Sequence, residues 1–133
     1  MRIIFALLLF SILSSASIFG CVALANVTAA SDWVAISSDS ICGLSSTRGV
    51  RSPGVIDYQK VYDATDSGKK MKKDGVDLDS PKGAQLDASA KREIRVACIT
   101  AMNAAQLDSL WKKITNKKGI LPTDVTVKVI KEL

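Results

Sequence analysis

Histidine is absent from the whole 133-residue chain. That absence excludes imidazole zinc sites, Ser-His-Asp triads and Cys-His nucleophiles. Cysteine is scarce, with Cys21, Cys42 and Cys98 its three examples and no Cys-x-x-Cys spacing among them, which argues against a dithiol redox motif or a sulfur-rich metal site. Aromatics are also few. Trp33, Trp111, Tyr58 and Tyr62 are the only Trp and Tyr, and all three Phe (Phe5, Phe10 and Phe19) fall in the first 19 residues. A core with so few rings must be packed through Ala, Val, Leu and Ile, or be completed by self-association. Ser and Lys can be paired in many ways, so no dyad stands out. The sequence therefore points away from an enzyme, and no cofactor or metal is expected.

The longest hydrophobic run lies at the start. Arg2 precedes Ile3 to Leu13, an apolar stretch broken only by Ser11, which has the length of a secretory h-region and is short for a bilayer span. Small residues follow, then Ala23-Leu24-Ala25, a small-x-small junction, so residues 1–25 are expected to be a signal peptide and Asn26 the mature start. Ile18-Phe19-Gly20-Cys21 loosely resembles a lipobox, which leaves lipid anchoring at Cys21 as the alternative to a free periplasmic protein. An uncleaved anchor is the remaining option.

Beyond residue 25 the chain holds 17 Lys and Arg against 13 Asp and Glu, a net charge of +4. This moderate basicity favours acidic polypeptides, anionic lipid or lipopolysaccharide as partners, and nucleic acid is not expected. Lys69, Lys70, Lys72 and Lys73 form the densest cluster and are the candidate binding residues, with a solvated helix face as the plainer reading. Asp74, Asp77 and Asp79 alternate as in a calcium loop but lack its sixth-position Gly and closing Glu. Cys42 and Cys98 could bridge in an oxidising compartment, closing a loop worth roughly 4 kcal/mol, provided that the fold brings them together.

Residues 26–53 are rich in Ser, Ala, Thr and Gly and are expected to be poorly ordered apart from a short element near Trp33-Val34-Ala35-Ile36. Gly54 to Val61 has the β-branched and aromatic content of a strand, and Tyr62 to Lys73 is helix-tolerant. Ser80-Pro81 is a helix start. After it Leu86, Ala90, Ile94, Cys98 and Met102 recur on one face, with Ala97, Ala101 and Ala105 beside them. Leu107, Leu110, Trp111 and Ile114 continue the helical spacing, which would carry the helix towards Asn116. Lys117-Lys118-Gly119 stops it, and Thr123 or Asp124 caps a terminal helix with Val125, Val129 and Leu133 on one side.

Two segments carry a family resemblance. Gly54-Val55-Ile56-Asp57-Tyr58-Gln59-Lys60-Val61 with Ser67-Gly68-Lys69-Lys70, and the closing Asp124-Val125-Thr126 with Val129-Ile130 and Leu133, resemble the opening and end of the Skp/OmpH family of periplasmic chaperones. The resemblance implies a domain over residues 54–133. It also implies an α+β, mainly helical fold, with a helical hairpin arm, a small β element and a short C-terminal helix. The expected activity is ATP-independent binding of unfolded outer-membrane or other envelope polypeptides, by a homo-oligomer, as a trimer. Only 33 residues separate Lys73 from Leu107, so the arm is expected to be a stub. The family has a β-hairpin where this chain reads Leu107 to Leu121, which leaves strand or helix open for residues 107–116. Asn103-Ala104-Ala105 through Lys117-Lys118-Gly119 and Val125 is also similar to the end of the YdbL-like family of small helical periplasmic proteins. That match implies an accessory envelope protein without holdase activity.

Overall fold

The structure, a computed structural model, describes residues 31–133. The expected signal peptide, its Ala23-Leu24-Ala25 junction and Cys21 lie outside the described residues.

Local capping chemistry sets each long helix. Asp57 opens α1 (Tyr58–Ala64) by accepting from the Lys60 amide at 3.2 Å. The expected strand over Gly54 to Val61 is therefore only Pro53–Val55 (β3), because the Asp57 carboxylate satisfies a free amide and lets the chain coil from Tyr58 onward. Thr65 ends that helix and begins α2 (Asp66–Asp74). Its hydroxyl donates to the Tyr62 carbonyl at 2.7 Å and accepts from the Gly68 amide at 2.9 Å, fully buried at the corner. Gly75 closes α2 in the left-handed conformation, φ 58°.

Ser80 and Pro81 start α3 (Pro81–Ala104), with the Ser80 hydroxyl accepting from the Gly83 amide at 3.0 Å. Gly83 must be glycine, because a Cβ there would collide with the Asp77 carbonyl as the connecting loop folds back. Gly83, Ala90, Ile94, Ala97, Cys98 and Ala101 form the buried stripe of α3, close to the expected face. α2 and α3 run antiparallel as a hairpin: Glu93 accepts from the Asp66 amide and the Ser67 hydroxyl at one end, and Lys82 reaches Asp74 at the other.

α3 does not continue to Asn116. Gln106 adopts φ 54°, the chain turns, and Ser109–Trp111 becomes β4 at the centre of a four-stranded sheet. The sheet order is β2 (Ser40–Gly43), β4, β3, β6 (Thr123–Asp124), with β2 antiparallel to β4, and β3 parallel to both β4 and β6. Leu110 and Trp111, adjacent in sequence, are both fully buried in different hydrophobic clusters, as a strand covered on both faces requires. The helical spacing of Leu107, Leu110, Trp111 and Ile114 arose from that two-sided burial.

The stretch expected to be poorly ordered is structured from residue 31. Trp33–Val34 (β1) pairs with Thr115–Asn116 (β5), a single 3-10 turn spans Ser37–Asp39, and β2 pairs with β4. Composition misleads here because pairing with residues about eighty positions away orders a segment that has few apolar residues of its own. The C-terminal helix α4 (Thr126–Lys131) buries Val129. Neither Thr123 nor Asp124 caps it as expected: Val125 is the N-cap, without a side-chain cap bond, because the helix begins later, and Asp124 instead accepts from the Thr126 amide at 2.9 Å just before it. Among the described residues four α-helices and two small sheets make the fold α+β and mainly helical, as expected.

Candidate functional site

The four clustered lysines all lie on α2, whose buried side is only Gly68 and Met71. Lys72 Nζ sits 2.8 Å from Asp63 and Lys69 Nζ 3.7 Å from Asp66, while Lys70 and Lys73 form no ion pair among the described residues. The Lys72 hydrogen bond holds the Asp63 carboxyl below the usual carboxylate range, against a smaller opposing effect of burial. The cluster is thus half engaged with the protein's own carboxylates and half open to solvent.

Apolar side chains face solvent elsewhere. Val96 (66% exposed) and Ile99 project from α3 away from its buried stripe, Val127 (67%) and Ile130 from α4, and Leu121 (88%) from the loop before β6. α3 and α4 pack on one another through the main core, so two of these apolar rows belong to one helix pair. Sequence reading missed Val96 and Ile99 because they stand among Lys91, Arg92 and Arg95 on the face it assigned to charge. Their i, i+3 spacing off the main stripe was the available signal.

A third patch joins α1 to α3. Tyr58 and Tyr62, read from sequence as part of a strand and its sequel, lie one helical turn apart with ring centroids 6.3 Å from each other. Lys112 Nζ stands 4.6 Å from the centroid of Tyr58, a cation–π contact. The Tyr62 hydroxyl donates to Asp87 at 3.0 Å, and Asp87 pairs with Lys91 at 2.7 Å. Burial, then the Asp87 hydrogen bond, pushes the Tyr62 phenol up to about 12, and the Lys91 hydrogen bond keeps Asp87 ionised.

The other candidates have structural partners. Asp74 pairs with Lys82 at 3.2 Å and the Asp77 carboxylate accepts from the Asp79 amide at 3.1 Å, so these carboxylates hold the α2–α3 turn. Among the described residues no three His, Cys, Asp or Glu side chains converge as metal ligands, and no helix is long and apolar enough to cross a membrane. Cys42 on β2 and Cys98 on α3 are both free thiols buried in the main core.

No protein-family model, curated protein or solved structure matches this chain. Its chemistry is therefore read from its own surface. Ammonium groups and solvent-facing aliphatic side chains suit contact with the carboxylates and apolar side chains of another polypeptide.

Proposed function

We propose that this is a non-catalytic, chaperone-like protein of the periplasm that binds unfolded outer-membrane or other envelope polypeptides without ATP, as a homotrimer. The observation that carries the reading is the set of exposed aliphatic side chains on the α3–α4 pair and Leu121, accompanied by Lys70 and Lys73, which form no ion pair among the described residues. Apolar contact would hold the client, and lysine charge would speed encounter with acidic segments, an effect that salt screens beyond about 8 Å. The order strand, short helix, hairpin, strands, terminal helix over residues 53–133 contains the strand, hairpin and terminal helix that the Skp/OmpH resemblance implies, with α1 as an added element, and supports the same reading. Anionic lipid or lipopolysaccharide would engage the same lysines.

One observation favours a second reading, an accessory envelope protein with no holdase activity, free in the periplasm or anchored at Cys21. α2 is clamped to α3 at both ends, by Glu93 and by the Lys82–Asp74 pair, which leaves the hairpin no span in which to enclose a client. Dilution of a urea-unfolded outer-membrane β-barrel protein, followed by light scattering, separates the two. The chaperone reading expects suppressed aggregation near equimolar trimer, weakened by Val96→Asp and slowed in association by replacing Lys69, Lys70, Lys72 and Lys73 with Gln. Unchanged scattering, with only monomer in ultracentrifugation at tens of micromolar, would overturn it in favour of the accessory protein.

A further inference from the structure

Cys42 and Cys98 are 56 positions apart, and packing of the sheet on α3 brings them to the same point of the main core. Cys98 is completely buried and Cys42 is 7% exposed. The Cys42 thiol donates to Met102 Sδ at 3.8 Å, and Met102 lies one turn beyond Cys98 on α3, so Cys42 sits over the stretch of helix that carries Cys98. The cluster that holds both thiols is otherwise made of buried Ile, Val, Leu and Ala side chains, with Tyr58, Tyr62 and Met102 among those packed against it.

β2 is where a covalent tie would matter most. It is an edge strand of four residues, paired only with β4, and its register shifts between Ser40 and Cys42. Upstream lies Trp33 and downstream Val50, both contributed to the second, smaller cluster, and short paired strands are the segments that open first. We propose that Cys42 and Cys98 close into a disulfide that clasps edge strand β2, and with it the N-terminal third of the described chain, onto α3. The proposal is independent of client binding and rests on export to an oxidising compartment.

The chemistry is thiol–disulfide exchange, and an exported protein disulfide or a small-molecule disulfide is the oxidant. Either cysteine can open the exchange, and the steps are written with Cys42 as the first nucleophile. The Cys42 thiolate attacks one sulfur of the oxidant and expels the other as a thiolate, giving a mixed disulfide. Cys98 then loses its proton and attacks the Cys42 sulfur, expelling the second thiolate. The protein gives up two protons and two electrons, and the oxidant's disulfide becomes two thiols. Because both residues are buried in the folded state, closure belongs to folding, before α3 and β2 seal together.

The test uses the full chain recovered after export. Denatured protein is alkylated with iodoacetamide with and without prior reduction, then digested and mapped. The expected result is a linked Cys42–Cys98 peptide without reductant and two alkylated peptides with it. Reduction should lower the thermal midpoint by more than about 10 °C. The Cys42→Ala, Cys98→Ala double variant should start at the reduced midpoint and ignore reductant. Because that variant could fail through cavities alone, the peptide map of the unmodified chain decides. Free, alkylated Cys42 and Cys98 in unreduced protein, persisting after refolding with oxidised glutathione, would overturn the proposal, as would a bond from either residue to Cys21.

Discussion

The two hydrophobic clusters of this protein are built on opposite principles. The main core joins Ile56, Val61, Ile94, Ala97, Ala101, Leu110, Val125 and Val129 with both cysteines, and most of these sit on helices where apolar residues recur every three or four positions. The smaller cluster joins Trp33, Val50, Trp111 and Ile114, from three separate stretches of chain. The first rests on small and branched aliphatic side chains, with α3 as its largest contributor, and the second on two indoles. The comparison shows that a protein poor in aromatics can place both of its tryptophans in the smaller of its two clusters.

Breaking the main core should cost most. Val129 is fully buried on α4, and Val129→Asp places a carboxylate among aliphatic side chains, a loss on the order of 4 kcal/mol or more. Urea unfolding followed by circular dichroism should show loss of the helical signal at much lower denaturant. Trp33→Ala should cost about 3 kcal/mol, because the indole is large and 8% exposed, but the damage should stay on its side of the sheet. Hydrogen exchange should show residues 31–50 losing protection while α3 keeps it. Equal loss of protection in α3 would merge the two clusters into one cooperative unit.

The smallest effects concern two carboxylates, one for each region. Asp108 accepts from the Arg51 and Ser52 amides at 2.6 and 2.8 Å and fastens the loop before β3 to the start of β4. Burial opposes its ionisation, but these amides and the Ser109 hydroxyl outweigh it and leave the carboxyl below its ordinary range. Asp124 is lowered chiefly by the Thr126 side chain, whose hydroxyl in turn accepts from the Asp57 amide at 2.9 Å. For both groups the folded value lies below the unfolded one of about 3.9. Their stabilisation is therefore complete above that pH and is lost as pH falls through the folded value. Asp108→Asn should flatten the acid limb of the stability curve, with the change read in residues 44–52. Asp124→Ala should cost about 1 kcal/mol, and Thr123→Ala, an exposed residue of β6, only a few tenths.

Helix starts at Ser80 and Asp57 are set by side chains that cap amides within three residues, although only the first was read as a start, because Tyr58 and Val61 gave residues 54–61 the composition of a strand. The lysine cluster was legible as a charged run, but not its division into paired Lys69 and Lys72 and, with no ion pair among the described residues, Lys70 and Lys73, which depends on where Asp63 and Asp66 fall after the Thr65 corner. The exposed Val96 and Ile99 were hidden by charged neighbours in the linear order.

By itself the sequence determined what acts over a single turn. It set the caps, the glycine stop at Gly75, the buried stripe of α3 and the mainly helical α+β class. Only tertiary structure decided that residues 109–111 are a strand, that residues 31–43 are ordered, and that Cys42 and Cys98 share the main core. Capping and periodicity are carried by neighbours in the chain. Two-sided burial, edge pairing and thiol contact depend on partners tens of residues away, and no local pattern encodes that distance.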